Sequence, residues 1–147
     1  MNKEKWLKLD IQHFAGPTTT YDFKKVSVII DGVIITGYMD GESIASEQNE
    51  DDVTQHVGAG GDVTFSETNN ETGTITLTLK QTSSSVPFLQ SLRNSKRLFS
   101  TQIVDSNNNT FRAGGTECRF TKPPAKTWGN EVTGLEYAIL VADYKEA

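Results

Sequence analysis

Residues 74–81 read Thr74-Ile75-Thr76-Leu77-Thr78-Leu79-Lys80-Gln81. In an extended chain Ile75, Leu77 and Leu79 fall on one side, and Thr74, Thr76, Thr78 and Lys80 on the other. Strict period-two alternation marks a half-buried strand, and β-branched threonine suits its solvent face. The same period recurs in both directions from this segment. Upstream, Val26, Val28 and Ile30 share one face, with Lys25, Ser27 and Ile29 on the other. Asp31-Gly32 follows, then an apolar run from Val33 to Tyr38. Two such runs around Asp-Gly predict a β-hairpin. Asp62 to Glu67 predicts a strand with Val63 and Phe65 inward, and Thr68 to Thr72 a polar turn. Downstream, strands are expected over Phe99–Val104, Thr110–Ala113 and Thr116–Lys122, the last placing Cys118 and Phe120 on one face. Residues 105–109 are expected to turn, as are Gly114-Gly115, and Pro123-Pro124 ends a strand. A final strand from about Val132 to Tyr144 sets Leu135, Tyr137, Ile139 and Val141 on one face.

One helix interrupts this pattern, over about residues 85–98. Ser84 or Ser85 can cap it, and Pro87 is tolerated in a first turn. Val86, Leu89 and Leu92 form a stripe at helical spacing. Arg93, Lys96 and Arg97 sit where the helix dipole favours positive charge. The expected fold is mainly β, a barrel or sandwich with one flanking helix. Two segments stand apart. Residues 1–20 form an N-terminal arm whose Trp6, Leu7, Leu9, Ile11 and Phe14 call for a partner surface. Residues 40–61 carry Asp40, Glu42, Glu47, Glu50, Asp51 and Asp52, no Lys or Arg, and end in Gly58-Ala59-Gly60-Gly61. They are expected as a long acidic loop or an extended hairpin with a mobile tip. The body spans 21–147.

Composition narrows the function. The 147 residues suit one domain. A net charge of −5 argues against tight nucleic-acid binding. A single cysteine, Cys118, permits no intrachain disulfide. No apolar run approaches a membrane span, and Lys8, Asp10 and His13 interrupt the apolar residues near the N-terminus, unlike a secretory signal. Asn70-Glu71-Thr72 and Asn108-Asn109-Thr110 match the glycosylation triplet by chance.

No set of residues forms a catalytic or metal centre. His13 and His56 lie far apart in sequence, and no His or Cys pair has zinc spacing. Asp105-x-Asn107-x-Asn109 opens like a calcium loop, but Thr110 replaces its glycine and Thr116 its closing Glu. Gly58-Ala59-Gly60-Gly61 lacks the Lys-Ser/Thr of a phosphate loop. Asp51 and Asp52 would point opposite ways on an extended chain. Neither a catalytic residue, a metal nor a cofactor is expected.

The order of these features resembles the tail tube proteins of contractile-tailed phages. The resemblance covers residues 21–144. It rests on the hairpin from Tyr21-Asp22-Phe23-Lys24-Lys25-Val26-Ser27-Val28 through Gly37-Tyr38-Met39-Asp40-Gly41, with Ile35-Thr36-Gly37-Tyr38 leading into the acidic segment. It rests also on Gly73 to Leu79 followed by the serines at 83–85. Leu7-Lys8-Leu9-Asp10-Ile11-Gln12-His13-Phe14-Ala15 is similar to the start of many structural proteins in phages of Gram-positive bacteria. The resemblance implies a structural virion protein in hexameric rings that stack as a hollow inner tube for DNA delivery. Its partners would be further copies of itself, a sheath protein, a tail-tip or baseplate initiator and a terminator. DNA would pass without specific binding, and no membrane is implied. Assembly would take place in the host cytoplasm. The resemblance further implies ring-to-ring contacts through the arm and the acidic segment, with Trp6, Leu7, Leu9, Ile11, Phe14, Glu47, Glu50, Asp51, Asp52 and Val53 as candidates. Alternatives are the tube of a headless contractile bacteriocin, of a siphophage or of a type VI-like secretion system. A β-sandwich carbohydrate-binding module is the alternative of a different class. Such a module wants grouped aromatics, whereas Trp6, Trp128, Tyr21, Tyr38, Tyr137 and Tyr144 are scattered.

Overall fold

A computed structural model describes residues 18–147. The Asp-Gly turn forms as the sequence dictates. Asp31 (φ 52°) and Gly32 (φ 82°) both adopt left-handed backbone, the geometry that matches strand twist in a two-residue hairpin. They join β1 (Val26–Ile30) to β2 (Val33–Ile34), with Ile30 opposite Val33. The second strand is shorter than the expected run to Tyr38. Ile35 turns into the core, 2% exposed. Gly37 (φ 81°) then lets the chain pass tightly against Ser83. The Ser83 hydroxyl donates to the Thr36 carbonyl (2.6 Å), and the Ser85 hydroxyl accepts from the Thr36 amide (3.0 Å). This last bond is a correction to the expected cap. Ser85 does occupy the N-cap position of α1 (Val86–Ser95) but makes no side-chain cap bond to the helix. The helix also ends earlier than expected, because Lys96 turns left-handed (φ 56°).

The other strands are β3 (Ile44–Gln48), β4 (Val53–Val57), β5 (Val63–Glu67), β6 (Gly73–Lys80), β7 (Phe99–Asp105), β8 (Arg112–Phe120), β9 (Gly134–Val141) and β10 (Lys145–Glu146). Eight of the ten form one antiparallel sheet in the order β2-β1-β7-β8-β9-β6-β3, with β10 beside β8. Among the described residues β4 and β5 pair only with each other. The segment 40–61, expected foremost as a long loop, therefore holds two strands. It lacks the apolar density of the core strands, but it keeps an alternating pattern that a partner strand can satisfy.

The longest ladder joins β6 to β9, from Gly73 opposite Val141 to Lys80 opposite Gly134. Its inner face carries Ile75, Leu77, Leu79, Leu135, Tyr137, Ile139 and Val141, all buried. Val28, Ile30, Ile35, Phe99, Ile103 and Cys118 complete the core with Leu89 and Leu92 of α1. The sheet bends within β8. Gly114 and Gly115, expected as a turn, lie instead inside this strand at a register shift against β7. Gly114 is at φ 145° with its α-carbon against the Thr101 carbonyl, where a side chain would not fit. Twin glycines allow the strand to kink without leaving the ladder. Asp143, in the turn between β9 and β10, holds the strand just past the kink. Its carboxylate accepts from the Thr116 amide (3.0 Å), the Glu117 amide (3.0 Å) and the Thr116 hydroxyl (2.6 Å).

From Ile34 the chain reaches Tyr38, which bridges Leu79 at the opposite margin of the sheet. Four residues cover about 13 Å, so the two margins lie close. No ladder joins them among the described residues, and the sheet folds over as a sandwich without closing into a barrel. The helix begins at this gap and supplies Leu89 and Leu92 to the core behind it.

Candidate functional site

The β4·β5 ribbon is the part of the described chain least explained by the subunit's own packing. Its ten strand residues are all exposed. The register pairs Val53 with Glu67, Gln55 with Phe65 and Val57 with Val63. Side chains of directly opposed residues share a face, so Val53, Val57, Val63 and Phe65 lie together beside Gln55 and Glu67. Thr54, His56, Thr64 and Ser66 make the other face. Phe65 is 67% and Val57 63% exposed. Val63 and Phe65 do share a face as the sequence predicts, but that face is not inward. Among the described residues nothing covers it. An isolated two-stranded hairpin is marginal in water, and among the described residues both long edges of this one are unpaired.

A polar neck joins ribbon to sheet. Gln48 opposes Gly73, whereas Val53 opposes Glu67, so four residues on one side of the neck face five on the other. The neck is stitched by the Asn49 amide to the Thr72 carbonyl (3.0 Å) and the Thr68 amide to the Asp52 carbonyl (2.8 Å). Asn70 accepts from the Thr72 amide (3.0 Å), which closes the turn within the triplet 70–72. At the far tip, Gly61 (φ 90°) allows Gly58 to bond back to Asp62 (2.7 Å).

The structure brings five of the predicted contact residues together here. Glu47 lies at the end of β3, Glu50, Asp51 and Asp52 in the neck, and Val53 at the ribbon base, all exposed. Trp6, Leu7, Leu9, Ile11 and Phe14 lie outside the described residues. Val57, Val63 and Phe65, which the sequence did not single out for contact because alternation signals a face without saying what covers it, form the exposed apolar face beside the acidic neck.

Two further surface features stand out. A groove of about 570 Å³ runs between Tyr21, Phe23, Tyr38, Met39 and the β3 edge at Ile44. Phe23 meets Tyr38 edge-to-face with centroids 5.5 Å apart. Burial pushes the Tyr38 hydroxyl up to about 12, so it stays a neutral phenol. The second surface is the 121–133 segment, which carries Trp128 at 79% exposure. Among the described residues no group of three or more His, Cys, Asp or Glu gathers to hold a metal. Asp105 and Asn107, the start of the calcium-like motif, bond to each other (2.8 Å) and to the backbone of the turn. No helix among the described residues is long and apolar enough to cross a membrane.

A sheet with open margins and a protruding ribbon whose apolar face is exposed is the kind of surface found in structural proteins that assemble. The family model for the Bacteriophage PhiTE tail tube protein matches residues 18–146, and the chain belongs to this tail tube family. The fold agrees. The chain is similar to the sheath/tube terminator of an extracellular contractile injection system (PVC), with TM-score 0.62 and 11% identity over 90% of this chain and 99% of that one. It is similar to a chain of the sheath-tube complex of the same system, with TM-score 0.59 and 10% identity over 100% and 99%. The tube-terminating cap of the anti-feeding prophage gives TM-score 0.57 and 9% identity over 91% and 97%. No curated protein matches in sequence. The protein is a tail tube structural protein.

Proposed function

We propose that the protein forms hexameric rings that stack into the hollow inner tube of a phage tail, through which DNA passes without specific binding. The observation that carries this reading is the bare β4·β5 ribbon in a member of a tube family. It projects from the end of the β3·β6 hairpin and has the apolar face that a stacking contact needs. Glu47, Glu50, Asp51, Asp52 and Val53 at its base take part in the ring-to-ring contact, as do Trp6, Leu7, Leu9, Ile11 and Phe14 of the arm. The open margins of the sheet give each subunit edges to offer its neighbours in the ring, where closed symmetry leaves none unpaired. A net charge of −5 suits a conduit that DNA must not adhere to. Sheath, initiator and terminator proteins complete the set of partners, and assembly occurs in the host cytoplasm before the virion leaves. A particle without a head, of the contractile injection kind, is the second reading, favoured by the contractile systems among the structural neighbours.

Negative-stain electron microscopy of the purified protein with a tail-tip initiator tests the reading. Hollow tubes or six-fold rings are expected. Persistent monomers that bind a glycan would overturn it in favour of the carbohydrate-binding module.

A further inference from the structure

We propose that the apolar face of the β4·β5 ribbon seats on the Trp128 loop of a second copy of this chain in the adjacent ring. This names the acceptor for the ribbon and rests on the tube reading above.

The two surfaces stand at opposite ends of one ladder. The ribbon leaves the sheet where Gly73 opposes Val141, and the 121–133 loop enters it where Lys80 opposes Gly134. Seven residue steps separate the two ends, about 23 Å, so the ribbon cannot cover its own subunit's loop. Different patches at opposite ends of one molecule make a head-to-tail contact, which repeats without limit when it does not close. That is the symmetry a stack of rings requires.

The loop has the character of an anchor site. Trp128 and Val132, four residues apart in the chain, are both exposed, at 79% and 42%. Trp128 is held out on a fixed base. The Thr127 carbonyl accepts from the Gln81 side chain (2.6 Å) and from the Thr133 hydroxyl (2.9 Å), and the Thr133 amide donates back to Gln81 (3.3 Å). Pro123 and Pro124 restrict the entry to the loop. An aromatic side chain presented on an ordered base loses little entropy on docking, and tryptophan is enriched among residues that dominate interfaces. Charge agrees with apolar fit. The 40–61 segment carries six carboxylates and no Lys or Arg, whereas Lys80, Lys122 and Lys126 are exposed at the loop end, against Glu131 and Glu136.

The test uses full-length Phe65→Asp and Trp128→Ala proteins, alone and mixed, with wild type alongside, read by sedimentation velocity and electron microscopy. Both residues are exposed, and circular dichroism checks that each variant folds. Each variant alone should stop at single rings, with the critical concentration for stacking raised about tenfold or more. An equal mixture should give paired rings and nothing longer, because one intact ribbon then meets one intact loop. Trp128→Ala tubes at the wild-type critical concentration, with Phe65→Asp still blocked, would place the ribbon's partner elsewhere and overturn the pairing while leaving the tube reading intact. Wild type that never forms rings or tubes would overturn both.

Discussion

The β6·β9 ladder and the β4·β5 ribbon are written in the same code and have opposite fates. Ile75-Thr76-Leu77-Thr78-Leu79 alternates, and so does Val63-Thr64-Phe65-Ser66. In this stretch of β6 every apolar member is buried, and in the ribbon every member is exposed. Alternation specifies that a strand has two chemically different faces. Whether the apolar face is covered by the same chain depends on what lies across from it. The ladder has α1 and the opposing strands of the sandwich; the ribbon has left the sheet through a polar neck and has nothing across from it among the described residues. On the proposed function, such a face is where the next subunit would sit.

This contrast can be broken from either side. Leu77→Ala, in the ladder, should destabilise the subunit by about 2–5 kcal/mol through lost burial and a residual cavity, measured by denaturant unfolding. A change below about 1 kcal/mol would mean that this core is not packed as described. Gly73→Ala strikes the junction between ladder and neck, where an added methyl would run into the ring of Tyr144. A cost of about 1–3 kcal/mol is expected, again by unfolding.

Asp143 sharpens the comparison by showing how the sheet itself is held. Burial raises its carboxyl pKa, but hydrogen bonds from the Thr116 hydroxyl and the Glu117 and Thr116 amides outweigh this and bring it down to about 2. A folded-state value below the unfolded one, about 3.9, means that the ionised carboxylate stabilises the fold above that pH. The contribution is lost as pH falls from about 4 toward about 2. Asp143→Asn should therefore cost about 1 kcal/mol near neutrality, with the difference from wild type shrinking across that acid window. A difference that stayed constant with pH would show that the bonds, and not the charge, hold the kink. Smallest in stability is Phe65→Ala in the ribbon, expected within about 0.5 kcal/mol of wild type by thermal unfolding. A larger loss would mean that the ribbon face is covered within the subunit after all.

Much of the sheet was legible in the sequence because its strands are read locally. The Asp31-Gly32 turn, the inward faces of β1, β6 and β9, and the stripe of α1 each follow from side-chain period and turn chemistry within a few residues. Cys118, expected on an inward face with Phe120, is buried in the core. Three readings failed for one reason. Gly114-Gly115 as a turn, Val33–Tyr38 as one continuous strand and 40–61 as a loop all assumed that local composition fixes pairing. Glycines in the middle of β8 serve a kink held by Asp143 from 27 residues away. Ile35 leaves its strand because Ser83 and Ser85, nearly fifty residues on, satisfy the Thr36 backbone. The acidic residues at the base of the ribbon were visible as a run of carboxylates, whereas the exposure of the ribbon's apolar face was not.

By itself, then, the sequence determined which residues alternate, where the Asp31-Gly32 hairpin turns and where the helix over Val86–Ser95 sits, since these depend on dihedral preference and period over short spans. The tertiary structure decided the strand order, the bend in the sheet and above all which apolar faces remain bare. Coverage is a property of pairs of segments distant in the chain, and no single segment carries the information about what will lie against it.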